Sequence, residues 1–290
     1  MKNKRRNSRI IIIVLLTFFV VALAVASIVL WTMLSDYGAR KMGTDEKIDD
    51  EQTAVTQVEE DTLPKNVYKA DGFYQVNDIR FYYADGYEGI AGIDVSSYQK
   101  DIDWNAVKHA GIEFAMIRIG YRGWSTGELD LDDCFYEHIE GAIDAGLDVG
   151  VYFFSQALNQ EEAVEEAEFT LETIKGYNIT CPVVFDWEEV DAVDARTNEM
   201  NMLLLTSCAQ AFCQTVENAG YDAAVYFNQT YGYSQLNLES LKEFDFWLAE
   251  YADSPTFVYD FLMWQYTNEG LVPGIEGNVD LNIMFRKKHS

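Results

Sequence analysis

Eight short runs of strand-forming residues, five intervening helical stretches and a last group of three strands with no helix between them predict an α/β fold. The expected architecture is an irregular TIM-like (β/α)-barrel of eight strands and about five helices. No glycine-rich phosphate loop follows the first strand, which argues against the alternative, an open doubly wound sheet.

The chain opens with Lys2, Lys4, Arg5, Arg6 and Arg9 and then runs from Ile10 to Leu34 without a charge. That run is long enough to cross a bilayer as a helix, and the basic flank would stay on the cytoplasmic side. Residues 1–9 therefore read as a cytoplasmic tail and 10–34 as a transmembrane anchor, with the rest of the chain outside the cell. The alternative is a secreted protein cleaved near Ala26, but the apolar run continues past that point through Trp31. Residues 35–66 are acidic and polar and read as an extracellular spacer.

In residues 67–88, Phe73-Tyr74-Gln75-Val76 and Ile79-Arg80-Phe81-Tyr82-Tyr83 flank Asn77-Asp78, the pattern of a β-hairpin. A lone hairpin cannot bury a core of its own, so it is expected to pack on the domain that fills 89–290. There the strands are expected at 92–95, 114–120, 149–154, 182–187, 223–227, 246–249, 262–265 and 279–285. Helices are expected at 104–110 behind Asp103, at 131–145 ending on Gly146, and at 161–174 behind Asn159. Glu162, three residues after Asn159, gives the third the form of a capping box. The last two are expected at 197–219, ending on Gly220, and at 238–244.

The net charge is −27, and five basic residues with no acid occupy the tail, so everything beyond it carries −32. Such a surface repels nucleic acid and anionic lipid headgroups. Cys134, Cys181, Cys208 and Cys213 show no metal-ligand spacing and are expected to be free thiols. The three histidines are scattered, and neither a metal nor a cofactor is expected. Nothing in the sequence speaks to oligomeric state.

The stretch Cys181–Val190, CPVVFDWEEV, is the chemical centre. On a strand, Asp186 and Glu188 project to one face, roughly 6.6 Å apart along the backbone, with Trp187 on the other. Two carboxyls so close cannot ionise independently, and one pKa rises. A raised carboxyl beside an ionised one suits acid-catalysed glycoside cleavage, although a solvated strand end or a cation site has the same spacing. Asp94 lies near the end of the first barrel strand. Asp280 opens the eighth and joins the others only if that strand starts at the catalytic rim, antiparallel to the rest.

Seven motifs in order carry a resemblance. They are Gly92-Ile93-Asp94-Val95-Ser96-Ser97-Tyr98-Gln99 with Ile102-Asp103-Trp104, Ala115–Tyr121, Gly150–Ser155, Phe185-Asp186-Trp187-Glu188, Trp247–Tyr251, Trp264-Gln265-Tyr266 and Val279-Asp280-Leu281-Asn282. Together they resemble the glycoside hydrolase family 25 lysozymes, the Chalaropsis-type N-acetylmuramidases, over about residues 92–285. The resemblance implies the same barrel and hydrolysis of the β-1,4 bond between N-acetylmuramic acid and N-acetylglucosamine in bacterial peptidoglycan. It also implies Glu188 as proton donor, with Asp94, Asp186 and Asp280 completing an acidic cluster.

Glu188, crowded by three acids expected to stay ionised, should hold its proton near neutral pH. For the second step, direct attack by Asp186 and water activated by an aspartate are alternatives to the favoured reading, in which Asp186 orients the substrate's acetamido group as nucleophile with retention of configuration. Tyr152, Phe154, Tyr226, Trp247, Tyr251 and Trp264 are expected to line the groove, barrel filling being their alternative role. Arg118, in an otherwise apolar strand, needs a partner, either a catalytic acid or a structural one. Two further readings are a chitinase-like enzyme, disfavoured because Pro182-Val183-Val184-Phe185 lacks that group's upstream acids, and a wall-binding module without turnover.

Overall fold

A computed structural model of the chain describes residues 62–288. The expected tail, the anchor at 10–34 and nearly all of the spacer lie outside the described residues, among which no helix is long and apolar enough to cross a membrane. The elements in order are β1 (Phe73–Val76), β2 (Ile79–Ala84), β3 (Tyr87–Val95), α1 (Trp104–His109), β4 (Phe114–Arg122), β5 (Leu129–Leu131), α2 (Phe135–Asp144) and β6 (Asp148–Ser155). Then follow α3 (Gln160–Thr173), β7 (Val183–Trp187), α4 (Met202–Asn218), β8 (Ala223–Asn228), α5 (Gln229–Ser234), β9 (Asp245–Ala249), β10 (Met263–Gly270) and β11 (Val279–Lys287).

Eight strands close into a barrel in the order β3, β4, β6, β7, β8, β9, β10, β11 and back to β3. From β3 to β10 neighbours are parallel, whereas β11 is antiparallel to both β10 and β3. Chain length explains the switch. Only residues 271–278 join β10 to β11, fewer than the dozen or so that a parallel crossover requires.

Strand alternation divides the apolar residues into two cores. Inside the barrel, Ile90, Phe114, Met116, Val184, Ala224, Trp247, Met263 and Met284 form one cluster. Outside it, Ile93, Ile117, Val151, Phe153, Phe185, Val225 and Leu248 pack with Phe135, Ile139, Ala163, Leu205 and Phe212 of the helices. Gly92 faces the interior because the ring of Phe114 occupies the space a Cβ would need.

Side-chain competition sets where the helices begin. Asp103 caps α1 by accepting from the Ala106 amide at 3.0 Å. Asn159 caps α3 by accepting from Glu162 N at 2.9 Å, while the Glu162 carboxylate turns back to Leu158 N at 2.9 Å. The expected helix at 131–145 starts only at Phe135, because Leu129–Leu131 pairs antiparallel with β4. The helix expected from 197 starts at Met202 behind the Asn201 cap, since the Thr197 hydroxyl is drawn to Gln156 Oε1 at 2.8 Å. The stretch 238–244 yields only a 3₁₀ turn, Leu238–Leu241. The fifth α-helix is instead α5, whose sequence QTYGYS lacks an apolar stripe and which depends on the Asn228 cap.

The hairpin forms with Asn77 and Asp78 at φ 49° and 67°, the left-handed pair of a type I′ turn, and Asp85-Gly86 at 50° and 82° repeats the device. The meander β1–β2–β3 thereby extends the barrel sheet. The ring of Phe73 lies 5.1 Å from Trp264, and Tyr68 stacks on Phe285 at 3.6 Å. The Arg80 amide donates to the Tyr266 hydroxyl at 3.0 Å. All four cysteines are free.

Candidate active site

The parallel strands end at one mouth of the barrel, and β11 begins there. Asp94 is the penultimate residue of β3, Asp186 the penultimate residue of β7, Glu188 follows β7, and Asp280 is second in β11. Antiparallel pairing sets Asp280 directly opposite Asp94. These four acids line one open cleft of about 580 Å³. Asp186 and Glu188 share the inward face, and Trp187 turns outward to lie 5.7 Å from the ring of Tyr231. Glu188 is fixed through its backbone: Gln156 Nε2 donates to its carbonyl at 2.9 Å.

Asp94 is the hub of a buried polar network. Its Oδ2 accepts from Asn282 Nδ2 at 2.7 Å and from Gln265 Nε2 at 2.9 Å. Neither amide is free to turn over. Asn282 Oδ1 takes the indole N–H of Trp247 at 2.9 Å, and an indole can only donate. Gln265 Oε1 takes the hydroxyls of Tyr226 and Tyr251 at 3.1 and 3.0 Å. Asn282 is therefore locked with its donor on Asp94, and Gln265 presents Nε2 to the same carboxylate, which can only accept, while the tyrosine hydroxyls suit its Oε1.

Burial is the main force on the titration of this cluster. It raises Asp94, but hydrogen bonds from Asn282, Gln265 and Asp280 oppose the rise by stabilising the carboxylate. Asp280 is pushed up to about 9 by burial, by the adjacent charge of Asp94 and by the hydrogen bond it gives Asp94. Burial drives Asp186 well above the carboxylate range, helped by Glu188 and Asp94 and opposed by Arg118. Glu188 is raised by desolvation and by Asp94, although its side chain reaches solvent at the lip.

Against the expectation of three ionised aspartates, burial favours the protonated carboxyl at Asp280 and Asp186. Asp94 has two amide donors that favour its charged form against the effect of burial. Asp280 keeps its proton, Asp186 is pushed the same way, and the four groups titrate as a set. Asp186 Oδ1 is buried without a hydrogen-bond partner. Arg118 is committed elsewhere, to Asp132 at 2.7 Å and the Ser97 hydroxyl at 3.1 Å.

Of the expected groove residues, Tyr152, Phe154, Tyr226, Trp247 and Tyr251 line the cleft. Trp247 is only 1% exposed and forms its floor, edge-on to Tyr152 and Tyr226. Trp264 does not line it. One residue before the inward Gln265, it points out of the barrel, donates its indole N–H to the Glu250 carbonyl at 2.8 Å and packs against Phe73. Gln265, Asn282, Asp132 and Tyr98 are site residues that the sequence reading passed over. The first two were findable, because Asn282 stands two residues beyond Asp280 and Gln265 is a lone amide between aromatics in a strand. Among the described residues no group of three His, Cys, Asp or Glu side chains is arranged to hold a metal ion.

Residues 93–275 match the glycosyl hydrolases family 25. The autolytic lysozyme of Clostridium acetobutylicum is 30% identical over 192 residues, covering 66% of this chain and 54% of that protein. Lysozyme M1 of Streptomyces globisporus is 30% identical over 206 residues, 67% of each chain. Among solved structures, the modular autolysin LytC of Streptococcus pneumoniae, determined with a synthetic peptidoglycan ligand, superposes with a TM-score of 0.63 at 22% identity, covering 73% of this chain and 52% of that one. A family 25 hydrolase from Bacillus anthracis superposes with a TM-score of 0.57 at 25% identity, covering 73% and 94%. The chain spans about half the length of the clostridial lysozyme and of LytC.

Proposed function

Because the chain belongs to the glycosyl hydrolases family 25, we propose that it is a lysozyme: an N-acetylmuramidase that hydrolyses the β-1,4 bond between N-acetylmuramic acid and N-acetylglucosamine in bacterial peptidoglycan. The observation that supports this most is the meeting of four carboxyls from β3, β7 and β11 in one cleft, with Asp280 in register opposite Asp94.

In this reading Glu188 is the general acid. It stands at the lip, where a glycosidic oxygen can reach it, and burial favours its protonated form. The substrate's acetamido N–H donates to Asp186, which favours the Asp186 carboxylate, and that charge in turn favours the protonated form of Glu188. As the C1–O bond breaks, Glu188 protonates the leaving oxygen and the acetamido carbonyl oxygen attacks C1. The charge of Asp94 stabilises the oxocarbenium-like transition state. Water then opens the cyclic intermediate and Glu188 recovers its proton, so configuration is retained. The aromatic walls, Tyr152, Phe154, Tyr226 and Tyr251, pack on the sugar rings. Residues 10–34 anchor the enzyme to its own membrane in this reading, with the barrel outside the cell.

Digestion of purified sacculi with the full chain, followed by borohydride reduction and mass spectrometry, tests the proposal. Fragments ending in N-acetylmuramitol are expected. Fragments ending in N-acetylglucosaminitol would overturn the muramidase reading, and no fragments at all would overturn the hydrolase.

A further inference from the structure

We propose that the hairpin β1–β2 builds a second saccharide subsite, continuous with the catalytic cleft, that holds a further stretch of the same glycan strand. The inference rests on the reading of the cleft as a glycan-cleaving site and adds a wall that lies outside the family-matching residues 93–275.

Beside the cleft lies a groove of about 460 Å³, bounded by Gln75, Asp78 and Arg80 of the hairpin region and by Tyr251–Asp253 and Tyr266-Thr267 opposite. That volume falls within the range, about 300–1,000 Å³, usual for ligand sites. Tyr251 belongs to the lining of both spaces and is 55% exposed. A strand leaving the cleft therefore crosses its ring, the kind of face on which a sugar packs.

Arg80 joins the two walls. Its Nη1 donates to the Ala252 carbonyl at 2.6 Å, its Nη2 reaches Asp253 Oδ1 at 3.3 Å, and its guanidinium sits 4.9 Å from the Tyr266 ring centre. With that cation occupied in the wall, the groove offers its ligand the remaining carboxylate oxygens of Asp78 and Asp253, the amide oxygen of Gln75, whose Nε2 donates to Asp78 Oδ1 at 3.2 Å, and the hydroxyl of Thr267. Such a set accepts and donates hydrogen bonds to neutral hydroxyls and N-acetyl groups. Arg80 compensates one of the two acidic charges, and the other repels the carboxylate ends of a stem peptide, so the occupant is the glycan backbone.

The test uses the full chain in a Glu188→Gln background and peptide-free glycan oligosaccharides of graded length whose lactyl carboxyls are capped as neutral amides, with affinity read by calorimetry. Lengthening the ligand from four to eight sugars is expected to tighten binding about tenfold, the gain that one or two added hydrogen bonds and a stacking contact supply. Two changes at exposed positions address the groove: Gln75→Trp fills it and Asp253→Ala removes an acceptor. Each is expected to bring the ratio of long-chain to short-chain affinity towards one, a readout that does not move with overall stability. A ratio unchanged in both variants, or absent in the parent, would overturn the proposal. A gain seen only with peptide-bearing strands would overturn it in favour of a peptide site. Length-dependent binding by a Glu188-containing chain that releases no reducing ends would refute the hydrolase reading and leave the subsite standing.

Discussion

Asp94 and Asp280 face each other across the antiparallel pair β3 and β11, and a hydrogen bond joins their carboxyls. The two are not equivalent. Asp94 receives two amide N–H groups, that of Asn282 held in orientation by the Trp247 indole and that of Gln265 with its Oε1 on two tyrosine hydroxyls, and nothing comparable supports a charge on Asp280. One negative charge is thus placed at a fixed point on the cleft wall, and the second acid serves as a donor to it.

Stability should consequently fall as pH rises. Asp280 is moved from an ordinary value of 3.8 up to about 9, so the folded chain binds a proton there that the unfolded chain releases above about pH 4. The stabilisation is complete below pH 4 and is lost as pH climbs through 9. Asp280→Asn, neutral throughout and still able to donate to Asp94, is expected to melt above the parent at pH 9, with the gap closing towards pH 4. Thermal denaturation at the two pH values checks this, and a parent that outlasts the variant at pH 9 would contradict it.

Gln265 is expected to matter for both fold and turnover. Gln265→Ala strips a donor from Asp94 and leaves two tyrosine hydroxyls without their acceptor, which costs about 1–3 kcal/mol for an unsatisfied buried group. Gln265→Glu keeps the shape but sets a further carboxyl against Asp94, and should lose more activity than the alanine variant relative to its stability. Urea unfolding and turnover measured on the same preparations separate the two effects.

Much of this was readable in the chain. The eight barrel strands are β-rich segments whose alternation survives in the structure, and the antiparallel start of β11 followed from requiring Asp280 to reach the rim. Alternation also marks the failure at Trp264. Aromatic runs such as Trp264-Gln265-Tyr266 give no sign of which face is inside until a neighbour of known direction fixes the phase, and Gln265 supplies it. The helix α5 escaped notice because a polar cap, and no apolar stripe, specifies it. The charge states were beyond reach, since they depend on which amide groups meet Asp94 from strands far apart in sequence.

Trp264 is expected to act on stability through the hairpin. Trp264→Ala should cost about 3–5 kcal/mol, as for other buried aromatics. Trp264→Phe keeps most of the packing and loses the hydrogen bond to Glu250, and its KM should stay near the parent's. A large rise in KM without loss of stability would return this indole to the cleft.

The thiols give a simple check on packing. Burial raises Cys181 and Cys208 to about 12 and Cys213 well above the ordinary thiol range, while Cys134 is only half-buried. A thiol reagent should label no more than Cys134 in the native protein and all four thiols in denaturant, and reducing agent should leave the melting temperature unchanged. Protection of two thiols in denaturant without reductant would reveal a disulfide.

The central claim is that Glu188, at the lip of a cleft walled by three aspartates, supplies the proton that breaks the glycan. The most direct measurement is single-turnover cleavage of purified peptidoglycan by the parent and by Glu188→Gln, with binding to the same material measured alongside. The expected result is a loss of about a hundred- to ten-thousandfold in rate, the usual worth of a general acid, with binding retained. A variant that cuts within about tenfold of the parent would contradict the assignment.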